Sequence, residues 1–119
     1  MGRQAIVTPS TAATIVALCA AWCDTCRAFR PVFDRLAGAR PNARFIWLDV
    51  EDEAALVGDI DVENFPALAV FRGDVPVFFG VCLPQQAVIA RLIAALMQDE
   101  PVAAPVPDAV AALPRLLRM

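Results

Sequence analysis

Two cysteines separated by two residues are the part of this sequence best suited to chemistry. Cys23 and Cys26 enclose Asp24 and Thr25, at a point where an apolar strand pattern changes to a helical one. The unpaired amides and the dipole at a helix start favour a thiolate, so we expect a lowered pKa for Cys23. Cys26 follows one helical turn later on the same side and is placed to resolve a mixed disulfide formed at Cys23.

A metal site and a structural disulfide are the other uses of this spacing. Zinc needs four ligands, and only Cys19 and Cys82 remain in a chain without histidine. We therefore favour a redox pair over zinc or an iron–sulfur cluster, and we expect no metal and no cofactor. A disulfide across so short a loop would stabilise the fold little.

The two remaining cysteines are interpreted separately. Cys19 falls in the strand predicted before the pair and is most simply a small buried apolar residue. Cys82 follows the last predicted strand, and a buried apolar filler is the favoured interpretation for it as well. A third redox thiol or a regulatory site at Cys82 stays open.

The first half of the chain predicts the elements that carry the cysteines. Thr14–Ala20 is continuously apolar and predicts a strand buried on both faces. Asp24–Ala37 has helical spacing, with Pro31 as a kink and Gly38 as the end. Phe45–Val50 predicts a second buried strand, and residues 51–60 predict a short acidic helix or turn.

The second half predicts a hairpin followed by a helix. Ala67–Phe71 and Val75–Phe79 are apolar runs on either side of a short turn, and Pro76 places the second run at a sheet edge. Pro84 fits the first turn of the last helix. Residues 4–8 are a candidate for a further short edge strand. The buried stripe of the last helix is predicted at Ile89, Leu92 and Leu96.

This order of elements predicts an α/β fold. Strands joined by helices pair in parallel and a hairpin pairs antiparallel, so we expect a mixed sheet of four to five strands with helices on both faces. Residues 1–98 are assigned to this domain. Residues 99–119 are rich in proline and alanine and predict a semi-rigid or disordered tail. Val110–Leu117 is apolar enough to dock on the domain or on a partner, and both possibilities stay open.

Composition excludes several classes of function. The 119 residues suffice for one domain, and the net charge of −3 argues against nucleic acid as a partner. No apolar run approaches the roughly 20 residues that span a bilayer, so no membrane association is expected. Ala12–Ala21 is similar to the apolar part of a signal peptide but lacks a charged run before it and a cleavage site after it. We therefore expect a cytoplasmic protein.

Beyond the cysteines, several spacings resemble those of the thioredoxin family over residues 14–97. Pro31 stands five residues after Cys26, where the family keeps a helix-kinking proline. Phe65–Pro66 stands just before the hairpin, where the family carries a cis-proline loop. Gly80 matches the family's glycine beside the substrate groove.

The resemblance implies a thioredoxin-like fold and thiol–disulfide exchange, most simply the reduction of protein disulfides. Cys23 would be the exposed nucleophile and Cys26 the resolving cysteine. A separate reductase would return the oxidised pair to the dithiol. The groove residues that the resemblance implies are Trp22, Phe65, Pro66 and Gly80, with the Phe65–Pro66 peptide bond cis.

The sequence departs from the family pattern at two places beside the cysteines. The buried acid that many thioredoxins carry six residues before the nucleophile is replaced by Ala17, and the nearby lysine would fall near Trp47 in a chain without lysine. A water molecule or Asp24 would then accept the proton of Cys26.

The dipeptide between the cysteines is the second departure, since Asp24 and Thr25 replace the common Gly-Pro. A carboxylate beside Cys23 opposes the helix dipole, which predicts a reductant rather than a disulfide donor. Asp24 is equally well interpreted as a charge that stabilises the helix start.

A binding module with the same fold and vestigial redox activity is the alternative to an enzyme. The missing buried acid and the proline-rich tail favour this alternative. The intact pair of cysteines, together with Pro31 and Pro66, favours the enzyme.

Overall fold

The computed structural model describes residues 12–60, 62, 64–98 and 100–117. Within these residues four strands form one mixed sheet with helices on both faces, which confirms the predicted fold class. The candidate strand at residues 4–8 lies outside the described residues. In chain order the elements are β1 (Ala13–Cys19), α1 (Asp24–Ala39), β2 (Arg44–Asp49), α2 (Ala54–Val57), β3 (Ala67–Arg72), β4 (Val75–Val81), α3 (Gln86–Leu96), α4 (Asp108–Ala111) and α5 (Leu113–Leu117).

The sheet has the strand order β2–β1–β3–β4. β1 pairs in parallel with β2, while β1–β3 and β3–β4 are antiparallel. β1 is therefore central, and every one of its residues is buried. Because α1 follows β1 after a short connection, the end of this central strand fixes where the helix begins.

Alternate residues of β1 serve two separate cores. Ile15, Ala17 and Cys19 face one core, and Val16 and Leu18 face the other. This alternation is what the pleat of a strand dictates, and burial on both faces explains the unbroken apolar pattern.

The first core lies between the sheet and the helices α1 and α3. The Phe33 ring lies 5.4 Å from the ring of Phe45 and 5.5 Å from that of Trp47, centroid to centroid, so α1 packs on β2 through aromatic contacts. The buried helix residues of this core are Cys26, Phe29, Phe33, Leu36, Ile89 and Ile93.

The second core lies on the other face of the sheet, under α2 and the C-terminal helices. Val110 and Leu113 are both 0% exposed and belong to the same cluster as Val16 and Leu18. The Ala104 N–H also donates to the Pro76 carbonyl at 2.8 Å, so the segment before α4 contacts the edge strand β4. Of the two possibilities for the apolar end of the chain, the structure shows docking on the domain. The division at residue 98 stays a prediction.

Three expectations about helices are corrected. α1 continues through Gly38 to Ala39, and Pro41, which disfavours helical backbone in the residue before it, follows the C-cap Arg40. α3 begins at Gln86 after an extended Gln85, so Pro84 precedes the helix rather than starting it. Its fully buried residues are Ile89 and Ile93, whereas Leu92 and Leu96 are half-buried.

The second strand also differs from its prediction. β2 is the last strand of the sheet on its side among the described residues, and only Leu48 in it is buried. Its apolar run reflects half-buried rings that pack on α1 rather than burial on both faces. β4 lies at the opposite edge, where Pro76 was expected to place it.

Candidate active site

The junction of β1 and α1 sets the positions of the two central cysteines. Cys23 is the N-cap of α1, with extended backbone angles of −89° and 118°, and its N–H donates to the Ala20 carbonyl at 3.0 Å. Cys26 lies in the first turn of the helix. The sequence predicted both positions, because the strand pattern ends just before the first cysteine.

The two thiols differ in their access to solvent. Cys23 is half-buried, whereas Cys26 is only 1% exposed and belongs to the first core. Both are free thiols in this structure. A disulfide of another molecule can therefore reach Cys23 but not Cys26.

The surroundings also shift the two pKa values in opposite directions. Interaction with the backbone N–H of Cys26 does most to lower the pKa of Cys23. Burial opposes it as the next largest effect, and the Cys26 thiol and Thr25 lower the pKa further. Burial raises the pKa of Cys26, partly offset by the Cys19 thiol and the Ala20 amide. Near neutral pH the Cys23 sulfur is thus the better nucleophile of the two.

The two residues between the cysteines are both exposed. Asp24 forms an ion pair with Arg27 one turn later, and Arg27 also donates to the Ala21 carbonyl at 2.6 Å. Arg27 therefore holds the loop before the helix and partly offsets the charge of Asp24. Thr25 interacts with the Cys23 sulfur through both its amide and its hydroxyl.

Aromatic contact joins this junction to the loop before β3. Trp22 is 64% exposed, and its ring meets the ring of Phe65 edge to face, with centroids 5.8 Å apart and planes at 82°. The Phe65–Pro66 peptide bond is cis, and Pro66 is buried. The structure thus brings Trp22 and Phe65 together beside Cys23.

Gly80 and Cys82 lie at the end of β4. Gly80 pairs with Leu68, while the Cys82 N–H donates to the Pro66 carbonyl at 3.3 Å. Cys82 is therefore the residue across from Pro66. Burial raises the pKa of the Cys82 thiol, which is half-buried. A Cβ at Gly80 would lie 3.4 Å from the Phe78 ring, so close packing alone does not require glycine there.

Cys19 is the residue near the site whose contact the sequence analysis missed. It is 1% exposed, as expected for an apolar filler, but its side chain is within hydrogen-bonding contact of Cys26. Alternation along β1 was the available signal, because it puts Cys19 on the same face as Ala17 and the first core.

A cavity of about 220 Å³ borders Cys26 on the side of β2. Asp49 lines it, and hydrogen bonds from the Asp52 and Glu51 amides lower the pKa of this carboxyl. Asp49 is therefore a poor proton acceptor near neutral pH, whereas the cavity is large enough to hold water. The lining residues are Ala20, Ala21, Cys26, Arg27, Arg30, Trp47 and Asp49.

The other positions singled out by the sequence lie around this site. Pro31 is inside α1 on an exposed position, and Ala17 is fully buried in the first core. Arg30 lies over the Trp47 ring, 4.8 Å from its centroid. No cluster of three or more potential metal ligands occurs among the described residues. None of the helices that the structure describes combines the length and apolarity needed to cross a bilayer.

Comparison with known proteins gives concordant results. The family model described as Thioredoxin matches residues 3–94. A stretch of 59 residues is 34% identical to the thioredoxin of Staphylococcus saprophyticus, covering 49% of this chain and 57% of that protein. A stretch of 61 residues is 30% identical to the thioredoxin of Mycoplasma genitalium, covering 51% and 60% respectively. The chain spans about half the length of the curated relatives it matches.

The fold agrees with this relationship. A solved structure of a mutant thioredoxin from Halobacterium salinarum matches with a TM-score of 0.65 at 26% identity, over 80% of this chain and 83% of that one. Mitochondrial thioredoxin 3 from Saccharomyces cerevisiae matches with a TM-score of 0.63 at 18% identity, over 74% and 82%.

Proposed function

Because this chain belongs to the thioredoxin family, we propose that it reduces protein disulfides through Cys23 and Cys26. Thiol–disulfide oxidoreduction is the general chemistry of the family. The observation that carries the specific proposal is the contrast between the two thiols. Cys23 is accessible and has a lowered pKa, while Cys26 is buried one turn away with a raised pKa.

The first step is attack by the Cys23 thiolate on a substrate disulfide. A bond forms between the Cys23 sulfur and one substrate sulfur, and the substrate disulfide breaks. The second substrate sulfur leaves as a thiolate and takes a proton from water. The backbone N–H of Cys26 and the hydroxyl of Thr25 favour the Cys23 anion before this step.

The second step releases the substrate. Cys26 gives its proton to water, and its thiolate attacks the Cys23 sulfur of the mixed disulfide. The bond between Cys23 and the substrate breaks, the substrate leaves with both sulfurs reduced, and Cys23 and Cys26 are joined. A reductase that supplies two electrons and two protons then restores the dithiol.

The surface around Cys23 supports an extended protein segment as the substrate. Trp22 and Phe65 provide an exposed aromatic contact on one side. The backbone of Phe65, just before β3, is proposed to pair with the substrate chain. Gly80 is proposed to line the same groove. Pro31 is proposed to shape α1 without contacting substrate.

The direction of electron flow follows from the charge beside Cys23. Asp24 disfavours the thiolate, and its exposed ion pair with Arg27 offsets this effect only in part. We therefore expect a reductant, with a potential closer to about −270 mV than to about −120 mV. Equilibration with glutathione mixtures of known ratio measures this potential. A potential of about −120 mV would show a disulfide donor instead.

Reduction of insulin by dithiothreitol tests the proposed activity. The wild-type chain is expected to accelerate insulin precipitation, and Cys23→Ser is expected to abolish the acceleration. Cys82→Ser serves as the matched control, because it removes a half-buried thiol outside the pair. An inactive wild-type chain that is correctly folded would contradict the proposal.

A binding module is the second candidate, and one observation favours it. Ala17 occupies the buried position of the family's acid, so the usual proton acceptor for Cys26 is missing. Such a module would hold partners against Trp22 and Phe65 without turnover. It predicts that Cys23→Ser leaves partner binding intact while insulin reduction is absent in the wild type.

A cytoplasmic location is proposed alongside the reductase activity. A dithiol at Cys23 and Cys26 can be restored repeatedly where a reducing pool is present. Cell fractionation checks this location, and recovery of the chain outside the cytoplasm would overturn it.

A further inference from the structure

Cys26 must become a thiolate in a place that does not favour charge. It is 1% exposed, and burial raises its pKa. The buried position on β1 that would hold an acid is Ala17, which has no polar group. Some other group must therefore stabilise the Cys26 anion during the second step of exchange.

The titratable and charged groups around Cys26 come from three elements. Cys19 on β1 is the one with a side-chain hydrogen bond to the Cys26 sulfur, apart from Cys23 itself. Arg27 and Arg30 on α1 and Asp49 on β2 line the cavity that borders Cys26. The full set is Cys19 from β1, Cys23, Arg27 and Arg30 from the start of α1, and Asp49 from β2.

The position of Cys19 in the fold is consistent with its interaction with Cys26. It is the last residue of β1, 1% exposed, and it faces the same core as Cys26. The N–H of Val50 donates to the Cys19 carbonyl at 2.8 Å, which fixes the backbone at the end of the strand. The Cys19 thiol thus lies in the same buried cluster as Cys26, at a fixed strand end, and interacts with the Cys26 side chain.

We propose that the Cys19 thiol donates a hydrogen bond to the Cys26 sulfur and stabilises it as a thiolate while it displaces the substrate. This inference rests on the proposed disulfide exchange at Cys23 and Cys26. Cys19 acts through Cys26 and does not contact substrate, so it is a positioning residue. It takes over part of the task that a buried acid would perform.

A donor fits Cys19 better than a third redox sulfur does. Burial raises the pKa of Cys19, and the neighbouring thiols and Asp49 raise it further. It therefore keeps its proton throughout, and a protonated thiol donates hydrogen bonds but does not attack disulfides. Cys26 instead gives its proton to water, for which the adjoining cavity has room.

Reaction with dithiobis(nitrobenzoate) separates the two steps of exchange. Attack by Cys23 on the reagent releases one thionitrobenzoate and leaves a second attached to Cys23. Attack by Cys26 then releases the second one. Rapid-mixing absorbance resolves the two releases, and their pH profiles report the Cys23 and Cys26 thiolates separately. All variants carry Cys82→Ala so that this thiol does not contribute.

Three substitutions at Cys19 distinguish a donor from a space-filler. Cys19→Ala and Cys19→Val remove the donor, and valine also keeps the volume. For both we expect the second release to slow about three- to tenfold near neutral pH, with its midpoint at higher pH. Cys19→Ser keeps a donor and is expected to retain the wild-type midpoint. The first release is expected to be unchanged in all three.

The outcomes are separable. Equal second-release midpoints in the wild type and both non-donor variants would overturn the proposal, as would a shift in Cys19→Ser as large as theirs. A variant that melts earlier but keeps its midpoint shows a packing function only, which also overturns it. Loss of the first release in the wild-type chain would instead overturn the proposed function.

Discussion

Cys23 and Cys26 carry the same side chain, yet their surroundings pull their pKa values apart. The helix start lowers the pKa of the exposed sulfur, and the core raises that of the buried one. A disulfide exchanger needs this order, because the first sulfur must attack before the second is ionised. Function therefore depends on which hydrogen bonds reach each sulfur.

The hydroxyl of Thr25 is one such group. Replacing Thr25 by valine removes the hydroxyl but keeps the amide, so the pKa of Cys23 is expected to rise. Near pH 6 the first release of thionitrobenzoate should slow about threefold. Thr25→Ser keeps the hydroxyl and is the matched control, with a rate close to the wild type. An equal rate in all three would show that the hydroxyl does not stabilise the thiolate.

The sequence was informative about some of these residues and silent about others. The helix-start position of Cys23 and the place of Cys26 one turn later follow from the strand–helix pattern. The contact between Cys19 and Cys26 follows only in part. Alternation along β1 predicts the face on which Cys19 lies, but the contact also depends on how far α1 lies above the end of β1. The ion pair of Asp24 with Arg27 could have been expected from their i, i+3 spacing on the helix.

Side-chain hydrogen bonds hold the turn that follows β2. Asp49 ends β2, and its carboxylate accepts hydrogen bonds from the amides of Glu51 at 2.8 Å and Asp52 at 3.1 Å. These bonds hold the turn that leads to α2. They also keep the carboxylate beside the cavity of Cys26 in place.

Asp49→Ala is expected to lower the free energy of unfolding by about 1–2 kcal/mol at neutral pH. The folded pKa of Asp49 is depressed. Its stabilising effect is therefore present above the unfolded pKa of about 3.9 and is lost as the pH falls through the folded value. The difference between wild type and variant should shrink in strong acid.

Urea unfolding at several pH values measures this effect. Asp59→Ala, at an exposed aspartate of the same segment, is the control and should change stability by less than about 0.5 kcal/mol. A difference for Asp49→Ala that stays constant down to strong acid would rule out the hydrogen-bonded carboxylate as its source.

Elements were easier to predict than their ends. Up to α3 the order of strands and helices is the predicted one, because unbroken apolar runs and helical spacing are strong local signals. The helices α4 and α5 lie in the segment that was predicted to be a tail. The helix ends predicted from Gly38 and Pro84 were wrong. Pro41, after the C-cap Arg40, limits the end of α1, and the extended Gln85 precedes the start of α3. The predicted burial of β2 on both faces was also wrong. The apolar residues of this strand are half-buried and pack aromatic rings on α1.

The stability of the fold depends on helices that cover both faces of the sheet. α1 and α3 cover one face, and α2 with the C-terminal helices covers the other. The sequence left open whether the end of the chain docks, because the Pro, Val and Ala residues of 101–107 show no helical or strand period. In the structure Val110 and Leu113 are buried in the second core, so this segment docks on the domain.

Leu113→Ala is expected to lower the free energy of unfolding by about 2–5 kcal/mol, since it leaves a cavity against the sheet. Leu116→Ala is the matched control in the same helix. Its side chain is 49% exposed, so a change below about 0.5 kcal/mol is expected. Urea unfolding measures both. Equal stability in the two variants would place the C-terminal helices outside the folded unit, in line with the division at residue 98.

Titration of the Cys23 thiolate shows whether this sulfur is ionised near neutral pH. The ultraviolet absorbance of thiolate is followed with pH in the wild-type chain, and the same curve for Cys23→Ser is subtracted. We expect the difference to show a midpoint below that of an ordinary thiol, about 8.5. A midpoint at or above that value would contradict the account, because Cys23 would then be mostly protonated near neutral pH.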